Sequence, residues 1–122
     1  MTKDKRILLV DDDALFRGVV KSCIEKLNMK VFEAENGLIA LEFLHSNEVD
    51  LILSDVNMPE MTGFELSRAM RDQGIRTPII LITGNPDYTK ADAVQCGARD
   101  LMNKFFKTDE LITVIQNNVV SF

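Results

Sequence analysis

The sequence predicts an α/β fold, in which a doubly wound, five-stranded parallel sheet is covered on both faces by five helices. Five short, mostly apolar segments alternate along the chain with five segments whose apolar residues recur at helical spacing. Such alternation is typical of parallel strands joined by right-handed crossovers. The length suits a single domain over residues 1–122, and the 46% hydrophobic and 27% charged residues are ordinary for a globular protein.

The five strands are predicted near residues 6–10, 30–34, 50–54, 78–83 and 99–103. Uninterrupted apolar runs at 7–10, 51–53 and 79–82 indicate central strands that are buried on both faces. The weaker alternation at 30–34 places that strand nearer an edge. Pro78 suits the first position of its strand, where a missing backbone donor is tolerated.

Three helices are predicted from apolar stripes and from the residues that end them. The first ends near Asn28, and its stripe comprises Leu15, Phe16, Val19, Val20, Cys23, Ile24 and Leu27. The second follows the turn at Asn36 and Gly37 and carries Leu38, Ala40, Leu41 and Leu44. The third begins near Gly63 and stops at Gly74, because glycine commonly ends helices.

Two further helices complete the pattern. The fourth is predicted from about Asp87 to Gln95. Thr108 is the predicted N-cap of the fifth, where Asp109 and Glu110 suit the positive end of the helix dipole. The buried face of this last helix is predicted to comprise Leu111, Ile112, Ile115 and Val119.

Composition argues against several classes of function. The net charge of −5 offers no basic stripe for nucleic-acid phosphates, and the apolar runs are too short to cross a membrane. The charged first residues lead directly into a strand without a signal peptide, which predicts a cytoplasmic protein. Cys23 and Cys96 are predicted to be buried thiols rather than a disulfide, and His45 a surface residue, since no zinc-ligand cluster is present.

Polar residues able to do chemistry stand where the predicted strands end. Asp11 and Asp12 follow the first strand, Asp55 follows the third, Thr83 ends the fourth, and Lys104 follows the fifth. The carboxyl ends of parallel strands share one edge of the sheet, which is where open α/β sheets bind ligands. We therefore expect these five side chains to converge, although they come from distant parts of the sequence.

The residue types indicate the chemistry. Three carboxylates repel one another by on the order of 4 kcal/mol for a pair about 4 Å apart at an effective dielectric constant of about 20. Such a cluster needs a cation, and oxygen ligands on a small site suit Mg²⁺. A metal ion, Lys104 and the Thr83 hydroxyl are the parts that hold a phosphoryl group, and an aspartate can attack phosphorus. The site is therefore interpreted as one for Mg²⁺-dependent phosphoryl transfer onto an aspartate.

With these motifs in order, the chain resembles the receiver domains of two-component response regulators over nearly its whole length. The resemblance is carried by I-L-L-V-D-D-D at 7–13, E-N-G at 35–37, D-L-I-L-S-D-V-N-M-P-E-M-T-G at 50–63, P-I-I-L-I-T-G at 78–84, G-A-R-D at 97–100 and Lys104. It implies a flavodoxin-like sheet with strand order 2-1-3-4-5. It also implies a signalling switch that catalyses its own phosphorylation and slow dephosphorylation, rather than an enzyme acting on another substrate.

The resemblance assigns roles to the acidic residues and to one asparagine. Asp55 is implied to be the phosphoacceptor. Asp11 and Asp12 match the pair that holds Mg²⁺ or Mn²⁺, with Asp12 the expected direct ligand, and Asn57 matches the residue whose backbone carbonyl completes the site. Asp13 could be a helix cap, an outer group of the site or merely solvated, and the solvated reading is preferred.

The resemblance also implies how the phosphoryl group is held and relayed. Thr83 would bond the group, Lys104 would pair with it and Gly84 would leave room for it, while Asn57 and Asn85 stand where the family tunes the phosphate lifetime. The phosphodonor would be a sensor histidine kinase or a phosphotransfer protein. A homodimer or output domain would use the face formed by helix four, strand five and helix five. The chain to Phe122 contains no such output module, which leaves a stand-alone receiver and the front of a longer regulator open.

Two positions depart from the family pattern. Phe105 stands where a proline, joined through a cis bond, usually follows the lysine. A cis bond before a non-proline residue costs about 3–4 kcal/mol, so we expect the Lys104–Phe105 bond to be trans. Leu101 stands where the family usually has an aromatic residue that swings inward when the threonine moves. A leucine has no ring to move, so the usual readout does not carry over.

Three other functions remain open at this stage. A receiver-like scaffold that is never phosphorylated is compatible with Leu101 and Phe105. A phosphatase of the haloacid dehalogenase type would use Asp11 and Asp13, although those enzymes usually have Thr or Val at the position of Ala14. A flavodoxin-like flavin binder would need a loop rich in Ser, Thr and Gly where three aspartates stand.

Overall fold

In a computed structural model, which describes residues 4–119, five parallel strands form one sheet. The strands are β1 (Arg6–Val10), β2 (Lys30–Ala34), β3 (Leu51–Asp55), β4 (Ile79–Thr83) and β5 (Asp100–Asn103). Their order in the sheet is β2-β1-β3-β4-β5. The predicted parallel sheet and its strand order are confirmed, with β2 at one edge and β5 at the other.

Five helices connect and cover the strands. They are α1 (Ala14–Glu25), α2 (Gly37–Leu44), α3 (Gly63–Asp72), α4 (Lys90–Gln95) and α5 (Thr108–Asn118). One face of the sheet carries α1 and α5, and its core includes Val20, Ile24, Leu111 and Ile115. The other face carries α2, α3 and α4, and its core includes Ala40, Leu66, Met70 and Ala93. Because both faces are covered, β3 and β4 are buried along their whole length, which explains their uninterrupted apolar runs.

The apolar stripe predicted for α1 is too wide. Leu15 and Val19 lie one turn apart on the solvent side of the helix, where they are 84% and 65% exposed. Val20 and Ile24, on the opposite side, are buried against the sheet. In α2 the same error applies to Leu38, which is 46% exposed. The helical period alone could not show which of two adjacent apolar rows packs inward.

Two helix starts differ from the sequence prediction. The fourth helix begins at Lys90 rather than near Asp87, because Thr89 caps it and exchanges reciprocal hydrogen bonds with Asp92. Thr108 is the first residue of α5 and not its cap, since Lys107 takes the N-cap position without a side-chain hydrogen bond. The predicted end of the third helix agrees with the structure, since Gly74 follows it at φ 77°.

Other surface and core assignments follow from burial. Cys23 and Cys96 are free; Cys96 is buried, whereas Cys23 is only half-buried. His45 is exposed, as predicted, and its Nε2 lies 2.7 Å from Gln73 Oε1. No helix among residues 4–119 has the length and apolar content needed to cross a bilayer.

Candidate functional site

The register of the sheet brings the polar strand ends to one edge. Val10 pairs with Ser54, and Asp55 pairs with Ile82, so Asp11 and Asp55 leave neighbouring strands at nearly the same level. Thr83 is the last residue of β4 and pairs with Asn103, directly before Lys104. Asp55 itself is the last residue of β3, one position beyond the strand end that the sequence predicted. The convergence expected from the sequence is therefore built by the sheet.

Three carboxylates form the centre of the site. One oxygen from each of Asp11, Asp12 and Asp55 lies within 4.8 Å of the others. Asp11 and Asp55 are only 3% and 5% exposed, whereas Asp12 is exposed. Asp11 Oδ2 is the one buried side-chain oxygen or nitrogen without a hydrogen bond between residues 4 and 119. A buried carboxylate oxygen without a donor, facing two further carboxylates, fits a cation site.

The ammonium group of Lys104 lies beside these acids. Its Nζ is 3.4 Å from Asp11 Oδ2, without the geometry of a hydrogen bond, and 3.5 Å from Asp55 Oδ2. The side chain is only 23% exposed. One positive charge therefore faces two buried carboxylates and balances them only in part.

Burial and charge set the pKa values of the site. Burial raises the pKa of Asp11, and the charge of Asp55 adds to the rise, although the backbone N–H of Asp13 opposes it. Burial also raises the pKa of Asp55, against the opposing effect of Lys104. Partial burial lowers the pKa of Lys104, but the charges of Asp55 and Asp11 outweigh this and the net shift is upward. The site thus holds two carboxylates that resist ionisation and one ammonium that resists deprotonation.

The loop after β3 adds Asn57. Its backbone N–H lies 3.4 Å from Asp55 Oδ1, and its side chain is exposed. The loop returns to the sheet at Gly63, whose N–H donates to the carbonyl oxygen of Val56. A methyl group on Gly63 would collide with the carbonyl oxygen of Asp55. Glycine is therefore needed here for the close approach of α3 to the site.

The loop after β4 begins with Thr83, Gly84 and Asn85. The Thr83 side chain is buried, and its Oγ1 accepts a hydrogen bond of 3.0 Å from Asn85 N. Asn85 Oδ1 accepts in turn from Asp87 N, which stabilises the turn before α4. A methyl group on Gly84 would lie 3.8 Å from Phe105 Cε2, an ordinary contact. The structure therefore has room for a methyl group between Gly84 and Phe105.

The two positions that depart from the family pattern lie at β5 and just after it. All peptide bonds between residues 4 and 119 are trans, which confirms the prediction for the Lys104–Phe105 bond. The Phe105 side chain is 85% exposed, and its backbone N–H donates to Asn103 Oδ1. Leu101 is half-buried and packs against the core on the α2, α3 and α4 face.

One contribution to the site differs from the preferred sequence prediction, and two others were not predicted. Asp13 caps α1 by accepting hydrogen bonds from Leu15 N and Phe16 N, so the preferred reading that it is merely solvated is wrong. Arg17 donates to the carbonyl oxygen of Asp11 and pairs with Glu33. The Phe16 ring faces the Lys104 ammonium. The position of Asp13 directly before an apolar helical stripe is typical of a helix cap. Nothing in the sequence indicated the contact of Arg17 with Asp11 or that of Phe16 with Lys104.

A comparison with known families identifies the group to which the chain belongs. The model of the response regulator receiver domain matches residues 7–116. The chain belongs to the response regulator receiver domain family. The regulatory protein AtoC of Escherichia coli is 36% identical over 117 residues, which cover 95% of this receiver domain and 25% of AtoC. The chain spans about half or less of the length of the first curated relatives that it matches.

Solved structures agree with this assignment. The chemotaxis response regulator CheY4 of Vibrio cholerae superposes with a TM-score of 0.88 at 32% identity, covering 97% of this receiver domain and all of CheY4. The response regulator TrrA of Thermotoga maritima, solved in complex with Mg²⁺ and BeF, gives a TM-score of 0.84 at 32% identity. That match covers 93% of this chain and 97% of TrrA. The flavodoxin-like receiver fold is therefore shown.

Proposed function

We propose that this receiver domain accepts a phosphoryl group on Asp55 and relays a signal by changing conformation. The observation that carries the proposal is the convergence of Asp11, Asp12 and Lys104 on the buried Asp55 carboxylate. Phosphoryl transfer needs a nucleophile, positive charge around the transferring group and little else from the protein. The site supplies the nucleophile, Asp55, and one fixed positive charge, Lys104. Its excess of carboxylates can bind a metal cation, which would supply further positive charge.

Asp55 is the proposed nucleophile. One of its carboxylate oxygens forms a bond to phosphorus while the bond from phosphorus to the donor breaks, and the bonding electrons leave with the donor. Lys104 lies close enough to pair with an oxygen of the transferred group. The Thr83 hydroxyl can donate to another oxygen once it turns away from Asn85 N. Attack by water on phosphorus of the resulting acyl phosphate breaks the bond to the Asp55 oxygen, releases inorganic phosphate and restores the carboxylate.

The donor set fits Mg²⁺, or Mn²⁺ with the same ligands. Asp11 and Asp12 would hold the ion together with Asp55, and the backbone carbonyl of Asn57 would complete the protein ligands. When bound, the ion neutralises charge on the phosphoryl oxygens. The buried Oδ2 of Asp11 supports this assignment, because it has no hydrogen bond and would gain the ion as a ligand partner. Asp12 is exposed, so its carboxylate can turn toward the ion as the ion enters.

Asn57 and Asn85 are the proposed determinants of phosphate lifetime. The Asn57 side chain is exposed and the Asn85 side chain is half-buried, so both can restrict the approach of water to Asp55. Gly84 keeps the neighbouring position free of a side chain. Larger or charged residues at Asn57 or Asn85 are therefore proposed to change the rate at which the acyl phosphate hydrolyses.

The proposed phosphodonor is a sensor histidine kinase or a phosphotransfer protein, acting in the cytoplasm. Its phosphohistidine would supply phosphorus to Asp55 with nitrogen as the leaving atom. The face formed by α4, β5 and α5 is the proposed contact for a second copy or an output domain. A groove on this face is lined by Asp100, Leu101, Asp109, Glu110 and Val114, among others. With a net charge of −5, direct binding of nucleic acid is not proposed for this domain.

A second candidate is a receiver-like scaffold that binds partners without being phosphorylated. The observation that favours it is Leu101, which has no aromatic ring to report movement of Thr83.

A phosphatase that uses Asp11 as its nucleophile would differ from both, since substitution of Asp11 would then abolish phosphate uptake completely. These alternatives predict different results in a single phosphorylation experiment.

The experiment is incubation with acetyl phosphate and Mg²⁺, followed by intact mass measurement. We expect the wild type to gain one phosphoryl group, Asp55→Asn to gain none, Asp11→Asn to gain it slowly, and a chelator to prevent the gain. Asp72→Asn, an exposed carboxylate on α3, is the matched control and should behave as the wild type. No gain on the wild type would favour the scaffold, and the reverse ranking of the two site variants would favour the phosphatase.

A further inference from the structure

The ammonium group of Lys104 has an aromatic neighbour in addition to its two carboxylates. Its Nζ lies 4.8 Å from the centroid of the Phe16 ring. A cation over the face of an aromatic ring is attracted by the ring quadrupole at separations up to about 6 Å. Asp11 Oδ2 and Asp55 Oδ2 lie 3.4 and 3.5 Å from the same nitrogen. Three groups that attract positive charge therefore surround one flexible side chain.

The position of the Phe16 ring is set by the start of α1. Asp13 caps this helix directly after the two acidic residues and accepts a hydrogen bond of 3.2 Å from Phe16 N. Phe106 then contacts the ring edge to face, with centroids 6.0 Å apart and an interplanar angle of 64°. Both rings are partly buried against the core on the α1 and α5 face. The backbone of Phe16 is thus held by the helix cap, and its ring is held by a second aromatic ring.

Local packing around the lysine makes such support necessary. The residue after Lys104 is Phe105, whose side chain is 85% exposed and contributes little to fixing the lysine. Proline, the usual residue at this position in the family, would restrict the backbone directly. A lysine side chain has about four rotatable bonds and loses considerable entropy when it is held in one geometry. The contact between Lys104 and Phe16, whose ring is supported by Phe106, can supply that restriction here.

We propose that Phe16, supported by Phe106, is a positioning residue that holds the Lys104 ammonium against Asp11 and Asp55. The ring contributes no atom to the transfer and acts only through the lysine. The kinetic consequence rests on the proposed function, because Lys104 is the fixed positive charge that meets the transferring phosphoryl group. The geometric consequence, a lysine held over a ring, does not depend on that function.

The kinetic test compares Phe16→Leu, which keeps an apolar side chain, with Phe16→Tyr, which keeps the ring. With acetyl phosphate as the donor, no partner protein contacts α1 and only the site chemistry is measured. We expect Phe16→Leu to lower kcat for phosphorylation roughly three- to tenfold with little change in KM, since the lysine acts mainly in the transition state. Phe16→Tyr should remain within about twofold of the wild type.

Phe43→Leu is the matched control for loss of an aromatic pair. Phe43 contacts Phe32 at a centroid distance of 5.4 Å on the other face of the sheet. Its substitution should cost stability without changing kcat. A drop in kcat for Phe43→Leu as large as that for Phe16→Leu would show that general loss of packing explains the effect, and would overturn the proposal.

The geometric test is a nuclear magnetic resonance measurement on Lys104. Protons near the face of an aromatic ring are shifted upfield by its ring current. We expect upfield-shifted ε-methylene protons of Lys104 in the wild type and in Phe16→Tyr, and loss of that shift in Phe16→Leu. Unchanged Lys104 shifts in Phe16→Leu would overturn the proposal, even if the wild type takes up no phosphate and the proposed function fails.

Phe106→Leu provides an independent arm should Phe16→Leu not fold. It removes the supporting edge contact and leaves Phe16 in place. We expect a smaller fall in kcat in the same direction and a reduced upfield shift at Lys104. A folded Phe106→Leu protein with the kcat and the Lys104 shifts of the wild type would contradict the support that the proposal assigns to this ring.

Discussion

The buried carboxylates of Asp11 and Asp55 oppose folding when no cation is bound. Both are nearly inaccessible to water, and burial raises the pKa of each. Lys104 contacts both but carries a single charge. Functional sites commonly keep such unfavourable groups because the chemistry needs them. Removal of one of these two negative charges should therefore stabilise the metal-free protein and impair its phosphorylation.

Asp55→Asn is expected to stabilise the metal-free protein. The amide removes a buried charge and its repulsion with Asp11, while Lys104 keeps Asp11 as a partner. Repulsion between charges about 5 Å apart is on the order of 3 kcal/mol at an effective dielectric constant of about 20, and the lost Lys104 contact offsets part of it. We expect the free energy of unfolding to rise by roughly 1 kcal/mol in urea titrations with chelator. A decrease, with Asp72→Asn unchanged, would contradict this explanation.

The advantage of Asp55→Asn is expected to shrink at acidic pH. Because the folded pKa of Asp55 is raised above 3.8, the native state binds a proton at higher pH than the unfolded chain does. The contribution of this carboxyl to stability therefore rises as the pH falls through its folded pKa and is complete below 3.8. Paired urea titrations of variant and wild type between neutral pH and about pH 4 measure the difference. A difference that widens toward low pH would be inconsistent with a raised pKa.

At the level of single residues, the sequence predicted the acids and the lysine better than their surroundings. Asp11, Asp12, Asp55 and Lys104 could be found because strand ends in a parallel sheet share an edge. Phe16 could not, because its contact with Lys104 depends on the angle at which α1 leaves β1 and on the side-chain rotamers of both residues. Neither quantity is expressed in residue spacing.

Among the structural elements, α1 has two apolar rows with different environments. Ile24 is completely buried against the sheet, whereas Leu15 is 84% exposed. Sequence periodicity assigned both residues to one buried stripe, because two adjacent apolar rows on a short helix fit the same helical period. The strands were predicted to within about a residue of the observed bounds, because their uninterrupted apolar runs have sharp polar ends.

Alanine substitutions in the two rows of α1 are expected to differ strongly. Ile24→Ala removes fully buried methyl and methylene groups and should lower the free energy of unfolding by about 2–5 kcal/mol. Leu15→Ala should change it by less than about 0.5 kcal/mol, because the side chain already contacts water. Urea unfolding of both variants, followed by circular dichroism, measures this. Equal losses would mean that Leu15 is buried in solution.

The loop after β4 connects Thr83 to the only tyrosine of the chain. Thr83 Oγ1 accepts a hydrogen bond from Asn85 N. Tyr88, three residues after Asn85, contacts the Phe64 ring edge to face, with ring centroids 5.0 Å apart. Movement of the Thr83 hydroxyl toward Asp55 would release Asn85 and alter the start of this loop. Since Leu101 cannot act as an aromatic reporter, the loop is the element through which movement at Thr83 should first appear.

Tyrosine fluorescence is expected to change on phosphorylation. The chain has one tyrosine and no tryptophan, so the intrinsic signal comes from Tyr88 alone. Acetyl phosphate with Mg²⁺ should change its intensity in the wild type, and the change should be lost in Asp55→Asn and reduced in Thr83→Ala, which lacks the hydroxyl. A wild type that gains phosphate with no change in fluorescence would show that the Tyr88 loop does not respond.

At the scale of the whole molecule, sheet topology accounts for the site. Residues 11 and 104 lie near opposite ends of the sequence, yet strand order β2-β1-β3-β4-β5 places their strands on either side of β3 and β4. The alternation of strands and helices was sufficient to predict a parallel sheet, whereas the strand order was predicted from the resemblance to receiver domains. The sequence could not predict the helix starts at Lys90 and Thr108, which depend on local capping by Thr89 and on the backbone of Lys107.

The most direct test of the account is to locate the phosphoryl group within the chain. After reaction with acetyl phosphate and Mg²⁺, reduction of the acyl phosphate with borohydride and tandem mass spectrometry of the peptides identifies the modified residue. The account predicts modification at Asp55 alone, dependent on Mg²⁺ and unaffected in Asp72→Asn. Modification at Asp11 or Asp12, or none at any residue while the protein remains folded, would contradict it.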